Sequence, residues 1–167
     1  MIPVLISHGI HQQINPSVYY SIKRQGICNL FTAIFGDGSN RPLYEVEARN
    51  MLKLINANIK SEFIVMQDHC CFHLYDNNFT EMESFLNINK NYGGVLLHWL
   101  DKNNRVPSTL HKRIGCGMYR SDFFSKIDFK FDNMCVCNSV IESGNACGMK
   151  VDYINDGIGR YIDFIER

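Results

Sequence analysis

Phe63-Ile64-Val65-Met66-Gln67-Asp68-His69 joins four consecutive apolar residues directly to an amide, a carboxylate and an imidazole. A short, unbroken apolar run of this kind suits a strand buried on both faces, as in a parallel sheet. Asp68 at its tip is costly to desolvate unless it meets a cation, a metal ion or a hydrogen-bond donor. An ordinary alternative is an aspartate that caps or turns the chain as it leaves the sheet. With His69 next to it, a divalent-ion site at Asp68 and His69 is the chemical reading.

Working outward toward the amino terminus, Tyr44 to Asn58 carries Ala48, Met51, Leu52 and Ile55 at helical spacing, one face of an amphipathic helix. Before it, Cys28 to Phe35 is a second apolar run, closed by the turn signal Gly36-Asp37-Gly38-Ser39-Asn40. Asn15-Pro16 supplies an N-cap and a first-turn proline for a helix to about Gln25, with Gly26 as its stop. Pro3 to Ser7 reads as the opening strand. Strand, helix, strand, helix, strand predicts right-handed crossovers and a mostly parallel sheet flanked by helices, an α/β fold. Ligands of such sheets sit beyond the carboxyl ends of the strands. Asp37 and Ser39 after the second strand, and Asp68 after the third, fall at that edge. The second and third strands are expected side by side, so that these tips share one cleft.

Toward the carboxyl terminus, Asn78 with Glu81 resembles a capping box for a helix that turns Met82, Phe85 and Leu86 inward. Gly94 to Leu100 reads as a strand and Asp101 to Asn104 as a hairpin turn, with Ile114 to Tyr119 as a pairing partner. Ser121 is expected to cap a short helix. Met134, Cys137 and Ile141 mark another, ending near Gly144, and Lys150 to Ile154 is the last strand. No linker or repeat divides residues 1–167, which are expected to form one domain.

The 167 residues are 46% hydrophobic and 20% charged, a globular balance. Seventeen basic residues match seventeen acidic ones, so the formal charge is zero and nothing favours a nucleic-acid partner. The start carries no basic leader, and no stretch approaches the ~20 apolar residues of a spanning helix. Seven cysteines, an odd number, then imply thiols in a reducing, cytoplasmic setting. His69, Cys70, Cys71 and His73 allow a zinc reading, completed by Cys135 and Cys137, although Cys-x-Cys chelates less well than Cys-x-x-Cys. Buried cysteines acting as small hydrophobes are the commoner outcome. Arg113 and Arg120 suit either a diphosphate or solvent. Trp99, beside His98, suits either a stacked sugar or the core.

The order of these pieces resembles the family-2 glycosyltransferases. Ile2-Pro3-Val4-Leu5-Ile6-Ser7 is similar to their opening strand, and Gly36-Asp37-Gly38-Ser39-Asn40 to their Asp-Asp-Gly-Ser loop. Glu47-Ala48-Arg49-Asn50, Ala57 and Phe63 to Asp68 look like their Ala-Arg-Asn segment, the strand after it and the Asp-x-Asp motif. Gly115 to Arg120 with Phe123-Phe124, and Gly148-Met149-Lys150-Val151-Asp152-Tyr153, resemble two later stretches. Gly36 and Cys70 stand where the family usually has aspartates, and its late acidic pair has Asp132 as the nearest counterpart.

The resemblance implies a nucleotide-diphospho-sugar transferase (GT-A-like) fold. It also implies transfer of a sugar from a nucleotide-sugar donor to a glycan or other acceptor hydroxyl, with inversion. By the same resemblance, Asp37 and Ser39 would lie near the nucleoside and Arg49 near the nucleotide pocket. Asp68, helped by His69, would hold Mg²⁺ or Mn²⁺ against the diphosphate, and Asp132 would be the base. The departures keep two alternatives in view: a non-catalytic sugar- or nucleotide-binding module on the same fold, and a zinc-binding protein.

Overall fold

The computed structural model describes residues 1–8, 13–26, 28–34, 60–69, 71–99, 116–127, 136–154 and 161–164. The expected turn at 36–40, helix at 44–58 and turn at 101–104 lie outside the described residues. In chain order the described elements begin with β1 (Ile2–His8), α1 (Pro16–Lys23), β2 (Cys28–Ile34), β3 (Phe63–Asp68) and β4 (Cys71–His73). They continue with α2 (Asn78–Ile88), β5 (Tyr92–Leu96), β6 (His98–Trp99) and β7 (Cys116–Arg120). The one-turn α3 (Phe123–Lys126), α4 (Val136–Ala146), β8 (Lys150–Tyr153) and β9 (Tyr161–Phe164) complete the series.

Six strands form the main sheet in the order β2-β1-β3-β7-β5-β8. β2 and β3 both run parallel to β1, and β8 runs parallel to β5. β7 runs against both of its neighbours, β3 and β5. The second and third strands are therefore not side by side. β1 lies between them, because each parallel crossover places its strand on a different flank of the first. The expected pairing of the 94–100 and 114–119 runs is present, with Gly94 opposite Tyr119 and Leu96 opposite Gly117. A second, three-stranded sheet, β4-β9-β6, grows from the ends of β3 and β5.

Strand alternation sorts the side chains onto two faces. Val4, Ile6, Phe63, Val65, Val95, Leu97, Cys116 and Met118 form one continuous core with Val18 and Ile22 of α1 and Phe79, Met82 and Leu86 of α2. Burying each large apolar side chain contributes about 1.5–3 kcal/mol before entropy is subtracted. On the other face the Tyr119 and Phe123 rings stack with centroids 5.6 Å apart. Gly93 and Gly94 lie under these rings; a Cβ on Gly94 would sit 2.4 Å from the Tyr119 ring.

Helix boundaries follow local chemistry. Asn15 Oδ1 accepts the Ser17 N–H at 2.9 Å and Pro16 occupies the first turn, as expected. The chain then turns at Gly26, whose φ of 111° favours glycine. The cap of α2 is Asn77, not Asn78, because Asn78 is buried and turns its amide inward; Asn77 donates to Glu81 at 3.2 Å. Likewise Asp122, not Ser121, precedes α3. α4 runs through Gly144 to Ala146 and stops before Gly148, at φ 72°. Gly144 is a packing glycine: a Cβ there would meet the Met149 carbonyl at 2.7 Å and the Phe123 ring at 3.0 Å. Among the described residues, no helix is long and apolar enough to cross a membrane.

Candidate functional site

The carboxyl edge of the parallel strands assembles in register. His8 pairs with Ile34, and Ser7 pairs with both Ala33 and Asp68. Asp68 therefore ends β3 level with the end of β2, two strand spacings away, about 10 Å. β2, at Ile34, and β3, at Asp68, end on the same edge of the sheet. Two residues separate Asp68 from β4, and β6 follows β5 from the same edge, so the small sheet rises at the carboxyl edge of the parallel strands.

Behind the end of β3 lies a buried polar chain that the sequence reading did not single out. Gln67, 2% exposed, donates its side-chain amide to the Cys71 carbonyl at 2.7 Å. That bond fixes which end of the amide is nitrogen, so Gln67 Oε1, 2.8 Å from His73 Nε2, faces a donor. His73 therefore carries its proton on Nε2, and its Nδ1 accepts from Asn78 Nδ2 at 3.1 Å. The His73 N–H donates to Ser21 Oγ at 3.2 Å, and the ring packs edge-on against Phe79 at 5.1 Å. Gln25 extends the chain: its Nε2 donates to the Tyr75 carbonyl and its Oε1 accepts the Phe79 N–H at the start of α2. Burial, reinforced by the nearby Arg24 guanidinium, lowers the His73 pKa from 6.5 to about 3, so the imidazole is neutral. The legible signal was a glutamine inside an otherwise apolar strand, since a buried amide demands partners.

Of the residues proposed from sequence, Asp37, Ser39, Arg49 and Asp132 lie outside the described residues, as does Arg113. Asp68 ends β3 at the carboxyl edge of the parallel strands, and His69 follows it, partly buried. Arg120 is placed elsewhere. It pairs with Phe63 at the amino end of β3, five residues of strand or about 17 Å from Asp68. There its guanidinium donates to the carbonyls of Tyr92, at 2.8 Å, and Leu86, closing the carboxyl end of α2. Arg120 is a structural cap, not a diphosphate ligand. The zinc reading loses His73, both of whose ring nitrogens are engaged in hydrogen bonds. Among the described residues no group of three His, Cys, Asp or Glu side chains is arranged to hold a metal ion. His98 and Trp99 form β6, beside β9.

An open sheet with one reversed strand, and a small sheet raised on its carboxyl edge, defines the class: a nucleotide-diphospho-sugar transferase (GT-A-like) fold. The structure of S. aureus TarS residues 1–349 in complex with UDP-GlcNAc is similar with a TM-score of 0.66 at 11% identity, covering 99% of this chain and 59% of that one. Glucosyl-3-phosphoglycerate synthase from Mycobacterium tuberculosis, in complex with Mn²⁺, UDP and phosphoglyceric acid, gives 0.63 at 10% identity, over 99% and 71%. A putative glucose-1-phosphate thymidylyltransferase from Bacillus anthracis gives 0.55 at 13% identity, over 93% and 87%. At such identities the likeness establishes the fold. The chain spans about six-tenths of the TarS structure it matches. No family model and no curated protein sequence matches the chain.

Proposed function

We propose that this chain is a glycosyltransferase that moves a sugar from a nucleotide-sugar donor to an acceptor hydroxyl, with inversion. The observation that carries the reading is the β2-β1-β3 order with all three strands parallel. It brings the end of β2, two residues before Gly36 in sequence, and the end of β3 to one edge. In this reading Asp37 and Ser39 contact the nucleoside, and Arg49 lies near the nucleotide. Asp68 and His69 hold Mg²⁺ or Mn²⁺. One carboxylate and one imidazole leave positions for diphosphate oxygens and water, a mixed donor set that suits Mn²⁺ better than the harder Mg²⁺. Lewis-acid stabilisation of the departing diphosphate is the chemistry such an ion supplies. Asp132 takes the proton of the acceptor hydroxyl. A reducing, cytoplasmic setting belongs to the same reading.

Thermal unfolding with UDP, GDP, CDP, ADP or dTDP, with and without Mn²⁺, tests the reading. A ligand at a hundred times its Kd adds about 2.7 kcal/mol, or roughly 5–10 °C for a domain of this size. One nucleotide is expected to give such a rise, and Asp68→Ala to abolish its Mn²⁺-dependent part. No rise with any nucleotide overturns the proposal. Gly36 and Cys70, in place of the family's aspartates, favour a second reading, a binding module without turnover. A nucleotide-dependent rise with no hydrolysis or transfer of any donor sugar selects it.

A further inference from the structure

β3 and β4 are joined by two residues, His69 and Cys70, yet they belong to different sheets. β3 bonds to β1 and β7, whereas β4 bonds to β9. No ladder between the two strands fixes their relative direction, which leaves it to the β4–β9 pairing and to side chains that bridge β3 and β4. Gln67 spans the turn from inside. Its Nε2 reaches the Cys71 carbonyl at 2.7 Å, and its Oε1 receives the His73 Nε2–H at 2.8 Å. His73 is itself fixed by Asn78 at 3.1 Å, by Ser21 at 3.2 Å and by the Phe79 ring. Its carbonyl accepts from the Arg24 guanidinium at 3.1 Å.

We propose that Gln67 and His73 are positioning residues that fix how the chain leaves β3 at Asp68 and His69, and so hold that exit for a nucleoside diphosphate. A packed apolar pair would stabilise this interior at least as well, because replacing both partners of a buried hydrogen bond by apolar groups is nearly neutral. What the polar pair adds is direction: each bond fixes an angle, and neighbouring bonds reinforce one another in a dry interior. The clamp stands on the geometry alone. Its consequence for ligand binding rests on the glycosyltransferase reading above.

Gln67→Met keeps the volume and removes both bonds. Hydrogen exchange of the His69 and Cys71 amides in this variant is expected to rise at least tenfold, with Leu5 and Val95 unchanged. The Kd for the stabilising nucleoside diphosphate with Mn²⁺ is expected to weaken about tenfold. His73→Gln, whose amide nitrogen reaches the Nε2 position, is expected to stay within about threefold of the parent in both readouts. Arg120→Met is the stability control at the opposite edge of the sheet. It lowers the unfolding temperature but leaves turn exchange and Kd alone, which a merely structural role for Gln67 would also do. Gln67→Asn, one methylene shorter, carries the same expectation should the Met variant not fold.

Unchanged turn exchange in the Gln67 variants overturns the clamp, whatever binds. Raised exchange with an unchanged Kd overturns the positioning role. If the parent protein binds no nucleoside diphosphate at all, the sugar-transfer reading and the ligand half of the proposal fall together, and exchange alone decides the clamp.

Discussion

His73 ties stability to pH. Its folded pKa, about 3, lies below the 6.5 of an unperturbed imidazole, so as pH falls the unfolded chain takes up the proton first. This contribution is whole above pH 6.5 and is lost progressively between 6.5 and 3, at roughly 1.4 kcal/mol per pH unit. Urea midpoints at pH 7.5 and 5.0 are expected to differ more for the parent than for His73→Gln; equal differences would remove His73 as the cause. Arg120 makes a second prediction at this scale. Arg120→Met strips the cap from the Leu86 and Tyr92 carbonyls and is expected to cost about 2–3 kcal/mol in urea unfolding, given the strength of charged hydrogen bonds. Nucleotide affinity is expected to be untouched. Single residues were the hardest scale to read from sequence. Asp68 showed itself as a charge at the tip of an apolar run, but nothing local to Arg120 says which end of a strand it will occupy. That depends on β7 running backwards.

Among the elements, the glycines separate two physical roles that look alike in sequence. Gly148, at φ 72° with open space around its Cα, ends α4 by conformation. Gly144, inside the helix, makes room for the Met149 carbonyl and the Phe123 ring. Gly148→Ala is expected to cost about 1–2 kcal/mol, and Gly148→Asn less, since asparagine tolerates the left-handed region. At Gly144 the order reverses: Ala costs about 1–3 kcal/mol by overpacking, and Asn more. Thermal or urea unfolding of the four variants checks this, and the same ranking at both positions would contradict it. The amphipathic spacing of Met82 and Leu86 identified α2 because both are fully buried. The missed elements, β4 and β9, have three and four residues, and the expected 94–100 strand splits into β5 and the two-residue β6; these three short strands pair with one another. So short a strand carries too few side chains to show a period.

For the whole molecule, the β-α-β-α-β reading of the first seventy residues led to a mostly parallel sheet, and five of the six strands are indeed co-directional. The lateral order was not legible, since sequence fixes direction through connection length but leaves open on which flank a returning strand docks. Accordingly Asp68 ends β3 at the carboxyl edge of the parallel strands, while its separation from β2 was misjudged by one strand. The same lateral order governs how the chain assembles. β5 (92–96) is synthesised before β7 (116–120), yet it is β7 that bonds β5 to β3. In a nascent chain that has reached only Trp99, the β3 edge at Ile64 would lack the partner that Tyr119 provides in the folded chain. That edge invites pairing between chains until the reversed strand slides into its slot. Joining β3 to β5 therefore waits on residue 120, and fragments cut short of it are expected to aggregate where the 167-residue chain folds.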